Sequence, residues 1–237
     1  MFNLLKPGTW FAPPDPLILR NREFFSDFDQ SKPLSEYTFV VCDTELTGFD
    51  RNHDEIISIG AVLIRDLQID LGSIFNQYIK PRNLKHTAAT LIHRITPEQL
   101  ADAPSLEEVL PAFVEFVGNG LMVGHFVELD LGFLNKATRK LLGGTLANPA
   151  IDTIRMARRY RQMLLGPFCE EDEHSVSYVL EDLAKEYQLP SFKPHDALED
   201  AIQTAYLFLY FLKKFKKGGL LTLKDIYQAG RVGSLRY

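Results

Sequence analysis

The sequence predicts an α/β fold, a mixed sheet flanked by helices, and two patterns carry that expectation. β-branched and aromatic runs crowd the stretch from Tyr37 to Ile79, and amphipathic helical patterns then alternate with short apolar runs as far as Lys213. Size agrees with one domain. At 237 residues and 46% hydrophobic, the chain has enough apolar material for a full core.

Taken in order, residues 1–36 read as an N-terminal arm: prolines at 7, 13, 14, 16 and 33, then the phenylalanine-rich piece Phe24-Phe25-Ser26-Asp27-Phe28, with one short helix. Thr38–Cys42 reads as a buried strand. Ile56–Ile64 and Ile69–Ile79 read as two more, joined through Arg65-Asp66-Leu67-Gln68 as a hairpin. Thr96 caps a short helix that opens on Pro97, and Ser105 with Glu107 and Glu108 starts a second that runs to Val117. Leu121–Gly124 is a short strand. Helices are expected at Leu129–Leu142, Ile154–Met163, Ser175–Tyr187 and Asp196–Lys213, with Asp196 and Glu199 as a capping box. The body spans residues 37–217, and residues 218–237 form a short tail with a helix at Leu220–Tyr227.

Composition excludes several classes. Cys42 and Cys169 are too few for a disulfide framework and fit a reducing cytoplasm. The longest apolar stretch, Ala205–Leu212, is too short to span a bilayer, so no membrane partner is expected. A net charge of −5 argues against a protein that holds nucleic acid by bulk electrostatics. The dense run Lys213-Lys214-Phe215-Lys216-Lys217 reads as a solvated helix end favoured by the dipole.

Three local patterns carry chemistry. Asp43 and Glu45 stand two apart at a strand end, so both carboxylates face one side of the sheet, as a hard cation requires. Asp130, five residues after His125, falls in the first turn of a helix, where the dipole favours negative charge. His195 lies on the loop before a helix whose second turn holds Asp200. Asp152 reads as a helix cap, and His93 and His125 each as a loop residue or a support of the site rather than a metal ligand.

Together, Asp43/Glu45, His125/Asp130 and His195/Asp200 resemble the three motifs of the DnaQ-like (DEDDh) 3′–5′ exonuclease family, which run Asp-x-Glu, His-x4-Asp, His-x4-Asp. The text around them is similar too: Asp43-Thr44-Glu45-Leu46-Thr47-Gly48, Leu131-Gly132-Phe133-Leu134, Ile151-Asp152-Thr153 and His195-Asp196-Ala197. The resemblance covers Tyr37 to about Lys214. Two positions depart from it: Phe126 stands where the family commonly has Asn, and Arg94 where it often has Gly. The sister subgroup with Tyr four residues before the last Asp is excluded, because that position is Asp196.

The resemblance implies a ribonuclease-H-like fold and hydrolysis with two divalent cations, Mg²⁺ or Mn²⁺, on Asp43, Glu45, Asp130 and Asp200. It makes His195 the general base, a role that suits an imidazole, which titrates near ~6.5. It places substrate contacts at Thr44, Leu46, Thr47, Gly48, His125 and Phe126, with Leu46 wedged against the terminal base, although that side chain also reads plainly as core. The implied substrate is a nucleic-acid 3′ end, DNA favoured in the manner of a polymerase III epsilon subunit. An RNA-trimming exonuclease and an inactive DnaQ-like binding module are the alternatives. The arm is the candidate for docking a second copy or a polymerase.

Overall fold

The computed structural model describes residues 13–165, 176–220 and 222–230, except the side chain of Leu165. Three antiparallel strands come first, β1 (Phe39–Leu46), β2 (Ile56–Arg65) and β3 (Gln68–Tyr78). The hairpin between the last two turns on Asp66 and Leu67, both at positive φ (51° and 57°), as a two-residue connection between twisted strands demands. Two parallel strands, β4 (Leu121–Gly124) and β5 (Ala150–Asp152), complete a sheet of order β3-β2-β1-β4-β5.

Helices cover both faces. In chain order they are α1 (Pro16–Ser26), α2 (Thr90–His93), α3 (Pro97–Leu100), α4 (Leu106–Val117), α5 (Glu128–Leu142), α6 (Thr153–Leu165), α7 (Leu180–Glu186), α8 (Ala197–Lys217) and α9 (Leu223–Gly230). The expected capping boxes at Thr96/Gln99 and Ser105/Glu108 are both formed.

β1 sits at the centre, and the period of two along it sorts the whole molecule. Val40 and Cys42 join the core under α4 and α5, while Phe39 and Val41 join the core under α6, α8 and α9. Burial along β1 is complete until Asp43 and Glu45, its two half-buried positions. By parity these carboxylates face the α8 side, and Thr44 faces the α5 side.

Gly60 of β2 pairs with Asp43 and shares that α8 face. A Cβ at Gly60 would lie 2.1 Å from the Ala197 carbonyl carbon and the Leu198 nitrogen. The missing side chain lets the start of α8 lie directly on the sheet beside Asp43. Gly60→Ala is expected to push α8 off the sheet and cost about 1–3 kcal/mol or more, read as a lower midpoint in urea. A wild-type midpoint would mean the contact yields without strain.

The arm packs on the body through α1. Ile18 is fully buried. Asn21 donates to Gly118 O (3.2 Å) and Asn148 Oδ1 (2.7 Å) and accepts from the Ala147 N–H (2.7 Å). Phe24, Phe25, Phe28 and Tyr37 form one aromatic cluster, with Phe24 exposed. Removing residues 1–30 is expected to uncover an apolar patch while sparing the carboxylates, seen as aggregation or a lower melting temperature. A truncated protein that stays monodisperse and melts as the full chain does would leave the arm without a structural role.

Some expectations are corrected. The first strand runs through to Leu46, not Cys42, because β2 pairs with it along its whole length. β5 and α2 are additional elements. The helix expected from Ser175 begins at Leu180; residue 175 lies outside the described residues, and 176–179 are not helical. There the Ser177 hydroxyl accepts from the Val179 N–H at 3.2 Å, and the Tyr178 carbonyl is held by His125. The tail helix starts at Leu223, where Thr222 and Asp225 cap each other, the Thr222 N–H donating to Asp225 Oδ2 at 3.0 Å and the Asp225 N–H to Thr222 Oγ1 at 3.2 Å.

The basic run closes α8, with Lys214 over the Tyr210 ring at 4.9 Å. Cys42 is a buried free thiol, and Cys169 lies outside the described residues.

Candidate active site

The face that β1 and α8 share gathers carboxylates. Asp43, Glu45 and Asp200 each offer an oxygen within 4.8 Å of the others. Asp43 and Glu45 come from alternate positions of one strand, and Asp200 from the second turn of the helix seated on Gly60. Asp130 approaches from the opposite face. Both the Thr44 N–H (3.0 Å) and the Thr44 hydroxyl (2.5 Å) donate to its Oδ1. Thr44 thus ties the acid on α5 to the strand that carries the acid pair, a role that parity along β1 dictates.

The electrostatics are those of crowded, unneutralised acids. Burial, then the charges of Asp130 and Asp200, hold the Asp43 carboxyl well above its usual range. Burial, then Asp200 and Asp130, push Glu45 up to about 8. Burial raises Asp130 to about 7 against the two Thr44 hydrogen bonds, and Asp200 to about 6 against the His195 N–H. No salt bridge reaches these four acids among the described residues. Hard oxygen donors with no protein cation to balance them fit a divalent metal site.

His195 sits on the exposed loop before α8 in the left-handed region, φ 60°. Its N–H donates to Asp200 Oδ2 at 2.9 Å, so the backbone of one motif residue is fixed by the carboxylate of the other. The capping box at the start of α8 forms by half. Asp196 Oδ1 accepts from the Glu199 N–H at 3.4 Å, but the Glu199 carboxylate reaches past Asp196 to the Lys193 N–H.

Around this centre the residues divide. Thr47 and Gly48 shape a turn on the Asp54 carboxylate, which accepts from the Thr47 hydroxyl at 2.9 Å and would collide with any Cβ at Gly48. Leu46 is 6% exposed and packs in the core beside the acids. His125 is braced inside the protein. Burial pushes it down to about 4, so the neutral ring donates from Nε2 to Tyr178 O (2.9 Å) and meets the Thr153 hydroxyl at Nδ1 (2.8 Å). Asp152 caps α6 as expected, accepting from the Ile154 N–H at 2.8 Å, and also from the Phe126 N–H at 3.3 Å.

His93 is buried at the end of α2, its Nδ1 accepting from the Ile95 N–H at 3.0 Å. Arg94, which follows it, takes a left-handed conformation (φ 61°) that glycine adopts without strain. Sequence reasoning missed Gly60 and the Thr44–Asp130 bond. A glycine amid the apolar run Ile56–Ile64 was the available signal for the first, since it marks a close backbone approach.

Comparison with known proteins agrees with this geometry. A family model described as exonuclease matches residues 40–208. The DNA polymerase III subunit epsilon of Aquifex aeolicus is 35% identical over 204 residues, covering 84% of this chain and 91% of that protein. A PolC-type DNA polymerase III of Thermotoga petrophila is 36% identical over 212 residues, 88% of this chain; the match spans only 14% of that relative. Among solved structures, exonuclease X in complex with 5′ overhanging duplex DNA matches at TM-score 0.57 and 25% identity, covering 81% of this chain and 98% of that one. E. coli exonuclease I bound to a dT13 oligonucleotide matches at TM-score 0.66 and 19% identity, covering 77% and 42%, a likeness of fold alone. The fold is ribonuclease-H-like, as expected, and acids of this kind in this setting mark divalent-metal use.

Proposed function

The chain belongs to the exonuclease family, and from that premise we propose that it removes nucleoside monophosphates from DNA 3′ ends, as an epsilon-like 3′–5′ exonuclease. The observation that carries the reading is the convergence of Asp43, Glu45 and Asp200, with Asp130 tied in through Thr44 and His195 joined to Asp200. All five motif residues are present, which counts against an inactive binding module.

Asp43, Glu45, Asp130 and Asp200 would hold two divalent cations, Mg²⁺ or Mn²⁺, which when bound lower the pKa of water and offset charge on a phosphodiester. The chain's own residues do the rest. His195 accepts the proton of the attacking water from its exposed loop. Thr44 fixes the Asp130 carboxylate, and the Asp200 carboxylate fixes the backbone of the histidine loop. Thr44, Leu46, Thr47, Gly48, His125 and Phe126 would border the terminal nucleotide.

No helix among the described residues is long and apolar enough to cross a membrane. A cytoplasmic enzyme that docks a polymerase or a second copy through the arm, with Leu19 and Phe24 exposed on α1, completes the proposal.

A time course on matched DNA and RNA oligonucleotides labelled at the 5′ end, in Mg²⁺, Mn²⁺ or EDTA, tests it. The expected result is a ladder that shortens from the 3′ end of DNA, with metal only. Faster loss of RNA would favour the trimming alternative, and cleavage in EDTA would remove the metal from the reading.

A further inference from the structure

We propose that Phe126 is a stacking platform for one base of the substrate strand, with Arg51 and Arg155 placed beside it to meet the strand's phosphates. The proposal rests on the nuclease reading above and specifies how one of its substrate contacts works.

Position comes from the sheet. β1 and β4 run parallel with Val41 beside Val123, so His125 and Phe126 leave β4 level with Asp43 and Thr44. Phe126 therefore lies in the short link between β4, the parallel neighbour of the acid strand, and the helix that carries Asp130. Its residue surface is 55% exposed, and no aromatic ring packs on it among the described residues. An apolar ring left in water at the rim of a charged site gains free energy by covering itself with a flat partner, and every nucleobase offers such a face.

The ring is held there at a cost. Phe126 has φ 60°, a region that costs a side chain with a Cβ about 1–2 kcal/mol. Three contacts impose it. Its N–H donates to Asp152 Oδ1, its carbonyl accepts from the Leu129 N–H at 3.0 Å, and the preceding His125 is anchored at both ring nitrogens. Relaxation into the core is blocked by the same contacts. Strain stored in an exposed residue beside a reactive centre is characteristic of a substrate contact.

Charge beside the ring fits the same ligand. Glu128, two residues on, is gripped by two arginines: Arg51 Nη2 donates to its carbonyl at 2.9 Å, and Arg155 Nη2 to its carboxylate at 2.8 Å. Both guanidinium groups keep further N–H donors for a phosphate. An exposed aromatic face with cations held two residues away is the kind of arrangement that binds single-stranded nucleic acid with little sequence preference.

The test is equilibrium anisotropy with a labelled single-stranded DNA in Ca²⁺, with an abasic position stepped inward from the 3′ end. Wild type is expected to lose about five- to hundredfold in affinity when one particular base is missing. Phe126→Ala should show that loss with the intact strand and no further loss at that position, with the wild-type melting temperature as the check on folding. Phe126→Trp should restore the wild-type pattern. Arg155→Ala should flatten the slope of log affinity against log salt by about one unit. A Phe126→Ala protein that keeps the positional penalty, or a wild type that shows none, overturns the stacking role while the nuclease reading stands. A wild type that binds no strand at all overturns both.

Discussion

Asp43→Asn and Asp200→Asn are each expected to abolish hydrolysis and most of the stabilisation that a divalent cation confers. Their oxygens lie within 4.8 Å of one another and of Glu45, with no protein cation bridging them among the described residues. The sign of the metal-free pH dependence follows from the raised carboxyls. A carboxyl whose folded pKa exceeds its unfolded value binds more protons folded than unfolded between the two. That stability is complete below the unfolded values, near 4, and is lost as pH rises through about 6 for Asp200, about 7 for Asp130 and about 8 for Glu45.

In EDTA the wild type should accordingly melt lower as pH rises from 5 to 8. Asp43→Asn should fall less over the same window, because one of the repelling charges is gone. Millimolar Mn²⁺ should reverse the order. Binding to the native state alone adds about 2.7 kcal/mol at a hundred times the dissociation constant, which for a domain of this size raises the midpoint by roughly 5–11 °C. The variant should gain little. Melts that move with neither pH nor Mn²⁺ in the wild type would remove the metal site and the repulsion together.

The carboxylates were legible because their signal is local. A period of two places Asp43 and Glu45 on one face, and capping chemistry places His195 before α8 and Asp200 inside it. What brings them together was less visible. The Gly60 contact joins residues far apart in sequence, and β5 is three residues long, too short for alternation to show. α2 is four residues without a side-chain cap, closed by an arginine in a glycine-like conformation. The extended piece before α7 is set by a carbonyl that docks on His125, and local propensity carries no trace of that. Leu46 illustrates the same limit from the other side. The family resemblance offered it as a substrate contact and its apolar side chain as core, and the structure packs it among the core residues.

His195→Ala is expected to separate catalysis from metal binding. The histidine side chain is not among the three clustered oxygens, and its residue is exposed on a loop that touches the cluster only through its backbone N–H. Alanine keeps that N–H, so Asp200 retains its 2.9 Å hydrogen bond and the metal-induced rise in melting temperature should match the wild type. Turnover on DNA should nevertheless fall by roughly 10²–10⁴-fold, the range for loss of a general base. The pH profile gives an independent reading. In saturating Mg²⁺ the acids stay ionised, so the wild-type rate should climb with pH as the general base loses its proton, and that limb should vanish in the variant. His195→Gly sharpens the comparison, since glycine also removes the strain of φ 60°. If backbone placement were all that the residue contributed, glycine would be at least as active as histidine. Loss of Mn²⁺ stabilisation in His195→Ala as severe as in Asp200→Asn would make the imidazole a ligand, and full activity would take the proton-transfer step away from it.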